Sequence, residues 1–369
     1  MAPRILEVLF SFRVGGSEVV GVELAQQLTH GGAVVMCSAL DGMSGPLRER
    51  CADLSLPVVD LGLPQHGVLA RNGLSWRLVR RLQALRLDAI HLQHFVALNK
   101  LGLAARLAGV RRIVVSEHSE AALRESRSGR ARLRLNWRLA HAITVIHDGI
   151  RRYLVEDIGV ADSRITVIPN GIDSQLWHRR DRAQRRAELG LTTETAFLFA
   201  GRLAEVKNVP ALIGAFLALQ SRLAQPARLI VVGDGPEMPR CRSLLAGHPH
   251  AGTVMLLGEQ HDTRRYLAAA DAFVMNSSSE GTPRALLEAM ATGLPAICTA
   301  VGGIPAMLRD RGWLTGPGDA DALTAAMLEC LTEPARARDF GAAAAAYVAA
   351  NYDATDLARR YRRLFDTGA

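Results

Sequence analysis

Short, continuously apolar runs alternate with amphipathic, helix-length segments along almost the whole chain. The runs of the first half are RILEVLF, AVVMCSAL, LPVVDL, DAIHLQH, RRIVVSEH and AITVIH. The second half repeats the scheme with TAFLFAGRL, ARLIVVGDGP, GTVMLLGE, DAFVMNSS and LPAICTAVGG. Strands without a polar side are buried on both faces, as in parallel sheets that are covered by helices. The alternation therefore predicts an α/β fold made of doubly wound parallel sheets.

The length of the chain predicts two such sheets. A chain of 369 residues is too long for one ordinary domain and suits two domains of roughly 150 to 180 residues each. The run RITVIPNGID ends the first series, so we expect one domain over residues 1–173 and a second over residues 174–351. For residues 352–369 the sequence predicts a terminal helix with no strand after it. Such a helix is free to cross back onto the first domain.

Composition argues against several other classes of protein. No apolar run reaches about 18 residues, so the sequence predicts no membrane-spanning helix. The short apolar start indicates a first strand better than a secretion signal. The cysteines are odd in number, widely scattered and without CxxC spacing: Cys37, Cys51, Cys241, Cys298 and Cys330. This usage is typical of a reducing cytoplasm and argues against a disulfide framework or a zinc site.

Positive charge is concentrated in the first half of the chain. The formal net charge is +8, and residues 1–173 contain 22 Arg and Lys against 16 Asp and Glu. The densest piece is RESRSGRARLRLNWR, where arginines from Arg124 to Arg138 alternate with leucines and Trp137. Such a stretch can lie on an anionic membrane surface or meet a phosphorylated acceptor, or it can be a solvated helix face. Nucleic acid is a weaker alternative, because no aromatic stacking pattern accompanies the charge.

The loops that follow the strands are where a site is expected, because ligands of open parallel sheets bind beyond the carboxyl ends of the strands. Gly15 and Gly16 follow the first strand and precede a helix, so their bare N–H groups can meet a phosphate. A tight turn explains two glycines about as well. Gly302 and Gly303, in the loop AVGGIPAML, form a similar pair that would let backbone approach a ligand or simply make a turn.

The loop FAGRLAEVKNVPAL carries two cations. Arg202 and Lys207 follow a predicted strand, and Pro210 suits the first turn of the next helix. The chain contains 42 arginines and only two lysines, Lys100 and Lys207, so a lysine here is not what general residue usage would supply. Two fixed cations at a strand end can neutralise a diphosphate as it leaves with developing charge.

The segment SSSEGTPRALLEAMATGLP carries two carboxylates. Glu280 lies in a loop, and Pro283 begins a helix in which Glu288 lies about one and a half turns from the start. The helix N-terminus helps Glu280 to stay ionised. Glu288 is flanked by Leu287 and Ala289, where an unpaired carboxylate would be heavily penalised by desolvation. It therefore needs a polar partner, which is either an internal Arg or Lys or the hydroxyl groups of a bound ligand.

Together and in this order, these motifs resemble one known family. The sequence is similar to family 4 retaining glycosyltransferases of the GT-B type over essentially the whole chain. The best markers are GRLAEVKN and EGTPRALLE, which holds the Glu-x7-Glu motif of Glu280 and Glu288, and GGSE, VIPNGID, VVGDGP and GWLTGPGD agree with them. The resemblance implies two Rossmann-like domains that face a cleft. The N-terminal domain would lie on the acceptor side, the C-terminal domain would bind a nucleotide-sugar, and the terminal helix would pack on the first domain.

The resemblance also implies roles on the donor side. Glu288 would accept hydrogen bonds from the ribose hydroxyls of the nucleotide-sugar. Glu280 would hold the transferred sugar and its phosphates, together with the backbone of three residues that follow it: Gly281, Thr282 and Pro283. UDP is the commonest nucleotide in such a family.

The leaving group and the acceptor would engage other loops. By the same resemblance, Arg202 and Lys207 would stabilise the departing nucleoside diphosphate, with help from the N–H groups of Gly15 and Gly16. His118, at the end of RRIVVSEH, would lie near the reacting face of the sugar and hydrogen-bond a sugar hydroxyl or orient the acceptor. A surface loop histidine is the alternative for His118. Further acceptor-side candidates are His94 and Glu117.

The implied reaction is transfer with retention at the front face of the sugar. The diphosphate oxygen departs, the sugar becomes oxocarbenium-like, and the acceptor hydroxyl attacks from the same side. No pair of carboxylates is placed to flank a bond as in hydrolases. The sequence does contain Asp319 and Asp321 in a DxD pattern, but the pair precedes a helix and is interpreted as a helix cap. We therefore predict catalysis without metal or a permanently bound cofactor.

The substrates are less constrained. Ala306 stands where relatives commonly carry an acidic residue, which leaves the choice of donor open. The basic first half fits a glycan or a lipid-linked acceptor in cell-surface polysaccharide or glycolipid synthesis, such as that of lipopolysaccharide, and a cytoplasmic protein at the inner face of the membrane. The alternatives are an epimerase or phosphorylase of the same fold, and a noncatalytic protein that binds nucleotide-sugars or glycans.

Overall fold

The computed structural model forms two compact units. It describes residues 2–63, 75–118, 127–173, 176–177, 181–260 and 262–366, with the side chains of 127–130 left out. The first unit is Met1–Gly171 with Ala354–Ala369, and the second is Ile172–Asp353. Each unit contains one six-stranded, fully parallel sheet with helices around it. The predicted α/β fold with doubly wound sheets is confirmed.

The sheet of the first unit has the strand order β2-β1-β3-β4-β5-β6. Its strands are β1 (Arg4–Leu9), β2 (Val34–Ala39), β3 (Ala89–Gln93), β4 (Arg112–Glu117), β5 (Ala142–Val145) and β6 (Ile165–Val167). The described helices are α1 (Gly16–His30), α2 (Pro46–Asp53), α3 (Trp76–Leu85), α4 (Phe95–Leu107), α5 (Arg127–Asn136) and α6 (Asp148–Tyr153). The strand order reverses at β1 and β3, which is where open α/β sheets bind ligands.

The sheet of the second unit has the order β12-β11-β10-β7-β8-β9. Its strands are β7 (Ala196–Ala200), β8 (Arg228–Val232), β9 (Val254–Leu256), β10 (Ala272–Met275), β11 (Ala296–Thr299) and β12 (Trp313–Thr315). The described helices are α7 (Arg182–Glu188), α8 (Val209–Gln220), α9 (Met238–Leu245), α10 (Arg264–Ala269), α11 (Arg284–Ala291), α12 (Ile304–Leu308), α13 (Ala320–Thr332) and α14 (Pro334–Asn351). The order reverses at β7 and β10.

One strand prediction is wrong, and one strand was missed. The run LPVVDL makes only an isolated bridge, between Val58 and Cys37, because Pro57 has no N–H to continue a ladder. Conversely, β12 is an edge strand of three residues that the apolar pattern did not indicate, because it is too short to show alternation. Both errors lie at sheet edges and leave the central strands unchanged.

The last helix, α15 (Ala354–Phe365), packs on the first unit. Leu357, Tyr361 and Phe365 repeat every four residues on one side of this helix and are buried. They join the core of α1 and the first sheet. Full burial of an aromatic side chain such as Phe365 contributes about 1.5–3 kcal/mol. The chain end is thus part of the core that supports the first sheet.

Candidate active site

The loop after β10 holds Glu280 against Lys207. The Lys207 Nζ lies 2.5 Å from Glu280 Oε1, and the two side chains are 23% and 8% exposed. The Ser277 hydroxyl donates to the same oxygen at 2.6 Å. Lys207 ends a short 3-10 turn that follows β7, so the pair joins the ends of the two strands where the sheet order reverses. An ammonium group has three donors, and the bond to Glu280 uses one of them.

Arg202 lies in the same loop as Lys207. Its side chain is exposed, and no residue within the described ranges forms an ion pair with its guanidinium. The prediction that Pro210 lies in the first turn of the next helix is confirmed, since α8 begins at Val209. The structure thus brings one half-buried and one exposed cation to the end of β7.

Glu288 has a partner within its own helix. Arg284 Nε donates to Glu288 Oε1 at 2.8 Å, one turn apart on α11. The Thr263 hydroxyl lies 3.5 Å from the other carboxylate oxygen. The sequence left open whether an internal cation or a ligand would satisfy this carboxylate, and the structure supplies the internal cation. The presence of Glu288 on an apolar helix therefore does not by itself require a ligand.

The glycine pair after β11 packs against the Glu280 loop. A Cβ atom on Gly302 would lie 1.6 Å from the Glu280 carbonyl oxygen, and one on Gly303 would lie 2.5 Å from the Gly281 carbonyl oxygen. Gly302 also has φ +56°, and the Gly303 N–H donates to the Gly281 carbonyl at 3.0 Å. Only glycine allows this approach. The pair supports the loop that carries Glu280, where the sequence suggested close approach to a ligand or a plain turn.

In the first unit, three predicted acceptor-side residues meet at the ends of β3 and β4. Glu117 Oε1 lies 2.9 Å from His94 Nδ1 and accepts from the His118 backbone N–H at 2.9 Å. The other Glu117 oxygen accepts from the Phe95 N–H at 3.2 Å. The two imidazole rings pack edge to face with centroids 5.2 Å apart. His94, Glu117 and His118 therefore form one cluster.

His94 is held in a strained backbone conformation. It precedes α4 with φ 71° and ψ 149°, a region that side chains other than glycine rarely adopt. Such a residue costs about 1–3 kcal/mol and persists where its surroundings fix it. Here the His94 N–H donates to the Ser116 carbonyl at 2.7 Å, and its Nε2 lies 3.1 Å from the Ser17 hydroxyl. Strain of this kind is typical of functional positions.

The pKa values of His94 and His118 are shifted in opposite directions. Burial lowers the pKa of His94, but the hydrogen bond and charge of Glu117 and the charge of Glu18 outweigh it, so the pKa is raised. The pKa of His118 is lowered to about 3, chiefly by burial and next by His94, while Glu117 and Asn170 act in the other direction. Near neutral pH, His118 is therefore a neutral imidazole beside a more basic one.

The N-terminus of α1 already faces a carboxylate. A Cβ atom on Gly15 would lie 2.3 Å from Glu18 Oε2, whereas Gly16 has open space around it. The Ser17 hydroxyl donates to the same Glu18 oxygen at 2.9 Å. Binding of a phosphate at Gly15 therefore requires the Glu18 side chain to move.

A buried row of polar side chains in the first sheet was missed from the sequence. Glu7 and His91 are fully buried neighbours on β1 and β3, and Gln93 Nε2 donates to Glu7 Oε1 at 2.6 Å. The row continues through Ser116 and Thr144, whose hydroxyls are 2.5 Å apart. A signal was present, because each residue is a polar letter at an alternate position of a buried strand, where one side of the sheet repeats with period two.

Comparisons with known proteins identify the family of this chain. The family profile described as "Glycosyl transferases group 1" matches residues 181–364. The profile described as "Glycosyltransferase Family 4" matches residues 14–176, so the two together span nearly the whole chain. The chain belongs to the family 4 glycosyltransferases. The predicted resemblance to family 4 glycosyltransferases is confirmed.

Individual relatives of this glycosyltransferase match along much of its length. N-acetyl-alpha-D-glucosaminyl L-malate synthase of Bacillus anthracis is 26% identical over 95% of this chain and 94% of its own. UDP-Gal:alpha-D-GlcNAc-diphosphoundecaprenol alpha-1,3-galactosyltransferase of Escherichia coli is 28% identical over 68% of each chain. These names are those of enzymes that transfer sugars, and the protein is accordingly an enzyme of the glycosyltransferase class.

Solved structures show the same fold. A glycosyltransferase of Rickettsia africae superposes with a TM-score of 0.86 at 16% identity, covering 99% of this chain and 98% of that chain. Anabaena HepE in complex with UDP-glucose superposes with a TM-score of 0.83 at 19% identity, covering 98% of each chain. The GT-B architecture of the glycosyltransferase is thereby confirmed.

The DxD pattern of the glycosyltransferase is a helix cap. Asp319 Oδ1 accepts from the Ala322 N–H at 2.8 Å at the start of α13, as predicted. Among the described residues, no group of three His, Cys, Asp or Glu side chains is placed to hold a metal ion. In the same residues, no helix has the length and apolarity needed to cross a membrane.

The basic stretch at 124–138 places part of its apolar residues in the core. Trp137 is buried in the core of the first unit together with Leu133, so the aromatic ring is not available to a membrane. Arg132 is exposed, and Arg134 donates to the Asp157 carbonyl at 2.7 Å. Arg124 and the side chains of Arg127 and Arg130 lie outside the described residues. Leu133 and Trp137 therefore serve the core, whereas Leu135 is 71% exposed.

Proposed function

We propose that the protein transfers a sugar, with retention, from a nucleotide-sugar to a hydroxyl group of a glycan or lipid-linked acceptor, in cell-surface polysaccharide or glycolipid synthesis. The observation that carries this proposal is the pair of Lys207 and Glu280 where the strand order of the second sheet reverses. A cation and a carboxylate held together at such a point suit a substrate that carries both a diphosphate and hydroxyl groups.

The leaving group is assigned to the end of β7. Lys207 and the exposed Arg202 lie in one loop there, and both are cations near neutral pH. Charge develops on the diphosphate oxygen as the bond to the sugar breaks, and fixed cations stabilise that charge. The backbone N–H groups of Gly281 and Thr282, which follow Glu280 in the chain, would add donors to the phosphates. This set of groups supports departure of the diphosphate without a metal ion.

The nucleotide is assigned to α11, where Glu288 would accept hydrogen bonds from the ribose hydroxyls. Its partner, Arg284, is the first residue of the helix and half-buried, and it would have to release the carboxylate when a ribose arrives. UDP is the proposed nucleotide. Support comes from similar proteins, since HepE binds UDP-glucose and the Escherichia coli relative is named for UDP-Gal.

The acceptor is assigned to the first unit. His118 and His94 lie where β3 and β4 end, and a neutral imidazole can accept a hydrogen bond from a sugar hydroxyl. In the proposed step the bond between the anomeric carbon and the diphosphate oxygen breaks, and the acceptor oxygen bonds to the same face. The acceptor proton passes to the leaving phosphate oxygen, so no enzyme nucleophile is required.

A thermal-shift panel tests the nucleotide assignment. UDP should raise the melting temperature of the wild type more than other nucleoside diphosphates do, because a ligand that binds only the native state stabilises that state. EDTA should leave this shift unchanged. The Glu288→Ala variant should lose most of the shift and Arg284→Ala should keep it, since only the first removes the oxygens that would accept from the ribose hydroxyls. A panel in which no nucleotide stabilises the protein would favour the noncatalytic alternative.

Peripheral binding to an anionic membrane completes the proposal. In the first unit the Trp76 ring on α3 is 73% exposed, whereas Trp137 is buried. Arg77 and Arg80 are exposed on the same helix, and Arg132 on α5. Helices α3, α4 and α5 are neighbours in that order, so these groups lie on one side of the first sheet. Indole rings with arginines suit the boundary of an anionic bilayer.

Vesicle binding tests this surface. The triple variant R77Q/R80Q/R132Q should bind vesicles of anionic phospholipid about ten- to a hundredfold more weakly than the wild type, because each basic residue near such a surface contributes about 1 kcal/mol. The matched control removes three exposed arginines of the second unit: R222Q/R242Q/R338Q. Equal binding by the two triple variants would remove the assignment.

A further inference from the structure

The buried carboxylate of Glu7 fixes the orientation of a neighbouring amide. Glu7 lies in the middle of β1 with no exposed surface. His91 Nδ1 lies 2.7 Å from one of its oxygens, and the Gln93 side-chain nitrogen lies 2.6 Å from the other. A carboxylate only accepts hydrogen bonds. The NH2 group of Gln93 must therefore face Glu7, and its carbonyl oxygen must point away from Glu7.

That carbonyl oxygen determines which nitrogen of His118 carries a proton. Gln93 Oε1 lies 2.5 Å from His118 Nε2. An amide oxygen has no proton to give, so Nε2 is the donor. In a neutral imidazole the other nitrogen is then an acceptor. His118 Nδ1 is buried and has no partner at hydrogen-bonding distance among the described residues, although the side chain of Asn170 lies near the ring and acts to raise its pKa.

We propose that Glu7 and Gln93 are positioning residues that hold His118 in its Nε2–H tautomer, so that Nδ1 is left unprotonated and can accept from a substrate hydroxyl once the groups that cover it move aside. The tautomer is a property of the free protein, and only its use on a substrate rests on the proposed function. The low pKa of His118, about 3, agrees with a neutral ring. Without Gln93, either nitrogen of His118 can carry the proton.

On the side of the row away from Gln93, His91 and its neighbours hold Glu7 in place. His91 Nε2 lies 2.6 Å from the Ser116 hydroxyl, and the Tyr361 hydroxyl of α15 lies 3.0 Å from the same oxygen. The Tyr361 and His91 rings also pack with centroids 5.0 Å apart. These groups hold the ring whose Nδ1 meets Glu7, and among the described residues none of their hydrogen bonds is to Gln93. Loss of the Tyr361 hydroxyl should therefore cost stability without changing the tautomer of His118.

Nitrogen NMR of the ligand-free wild type tests the tautomer. With 15N-labelled histidine, and a His118→Asn variant to identify its signals, His118 should show a protonated Nε2 and an unprotonated Nδ1. A proton on Nδ1 would overturn the proposal. This spectrum identifies the tautomer of His118 whether or not the protein transfers a sugar. Failure of the proposed function is seen in a separate measurement, as the absence of sugar transfer by the wild type.

Variants then separate positioning from general support. Gln93→Met keeps the length of the side chain but removes both hydrogen bonds, so His118 should become a mixture of tautomers and kcat/KM for transfer should fall about tenfold. The control Tyr361→Phe should keep the wild-type tautomer and a rate within twofold, at a lower melting temperature. A Gln93→Met variant that keeps both the tautomer and the rate contradicts the proposal, as does a Tyr361→Phe variant that changes the tautomer equally.

Discussion

Replacement of Lys207 by methionine should lower kcat/KM for sugar transfer by about a thousandfold. The ammonium group is assigned to the departing diphosphate, and removal of one such preorganised contact costs about 3–4 kcal/mol in the transition state. The substitution also leaves the Glu280 carboxylate, only 8% exposed, without its cation. That carboxylate then repels the diphosphate. Steady-state kinetics with a nucleotide-sugar donor measures the effect, and the melting temperature shows whether the variant is folded.

Lys100 provides the matched control, because it is the only other lysine of the chain and lies on α4 in the first unit. Lys100→Met removes the same group and should keep the rate within twofold. Lys207→Arg should retain part of the activity, since the charge remains while the larger, planar group cannot reproduce the short contact to Glu280. A folded Lys207→Met variant with more than a tenth of wild-type kcat/KM would show that the leaving group is stabilised elsewhere.

The sequence was informative about the sheets because burial on both faces leaves a continuous apolar signal. Every central strand could be located in this way, and the loops at the ends of β7 and β10 follow from that placement. The edges were harder to predict, since LPVVDL is apolar yet pairs only through Val58, and Trp313–Thr315 is too short for a pattern. Edge strands have one neighbour, so their residues are less constrained.

Side-chain partners could not be predicted from spacing. The sequence required that Glu288 be satisfied, but only the structure identifies Arg284, because an i,i+4 pair and a ligand hydroxyl satisfy a carboxylate equally well. Likewise, nothing in the sequence indicates that Glu18 lies over Gly15. Which rotamer a polar side chain adopts depends on neighbours that are remote in sequence, and this information is absent from motif spacing.

The buried polar row is a second case in which the sequence did not identify the partners of polar side chains. Glu7, His91 and Gln93 each stand among apolar residues in the sequence. A single polar residue in a predicted buried strand is easily interpreted as one that the core tolerates without a specific partner. In the fold they meet, and each satisfies the next. Unpaired buried polar groups are costly, so polar residues that recur at alternate positions of several predicted strands indicate a network across the sheet.

Replacement of Glu280 by glutamine should separate two roles that the ion pair combines. Glutamine keeps the shape and can still accept from the Ser277 hydroxyl. Transfer should fall about a hundredfold, because charge-assisted hydrogen bonds to the sugar hydroxyls become neutral ones. The affinity for UDP should stay equal or rise, because the Lys207 ammonium is no longer neutralised by a carboxylate. Calorimetric titration with UDP and steady-state kinetics measure the two quantities.

The change in UDP affinity of the Glu280→Gln variant shows which role Glu280 has. If the affinity falls together with the rate, Glu280 acts mainly by holding Lys207 in place, and its direct contact with the sugar is not supported. Ser277→Ala is the control, since it removes the other hydrogen bond to the same Glu280 oxygen and leaves the ion pair intact. Its effect on transfer should be smaller than tenfold, because one neutral donor is lost while the charge that would face the sugar is kept.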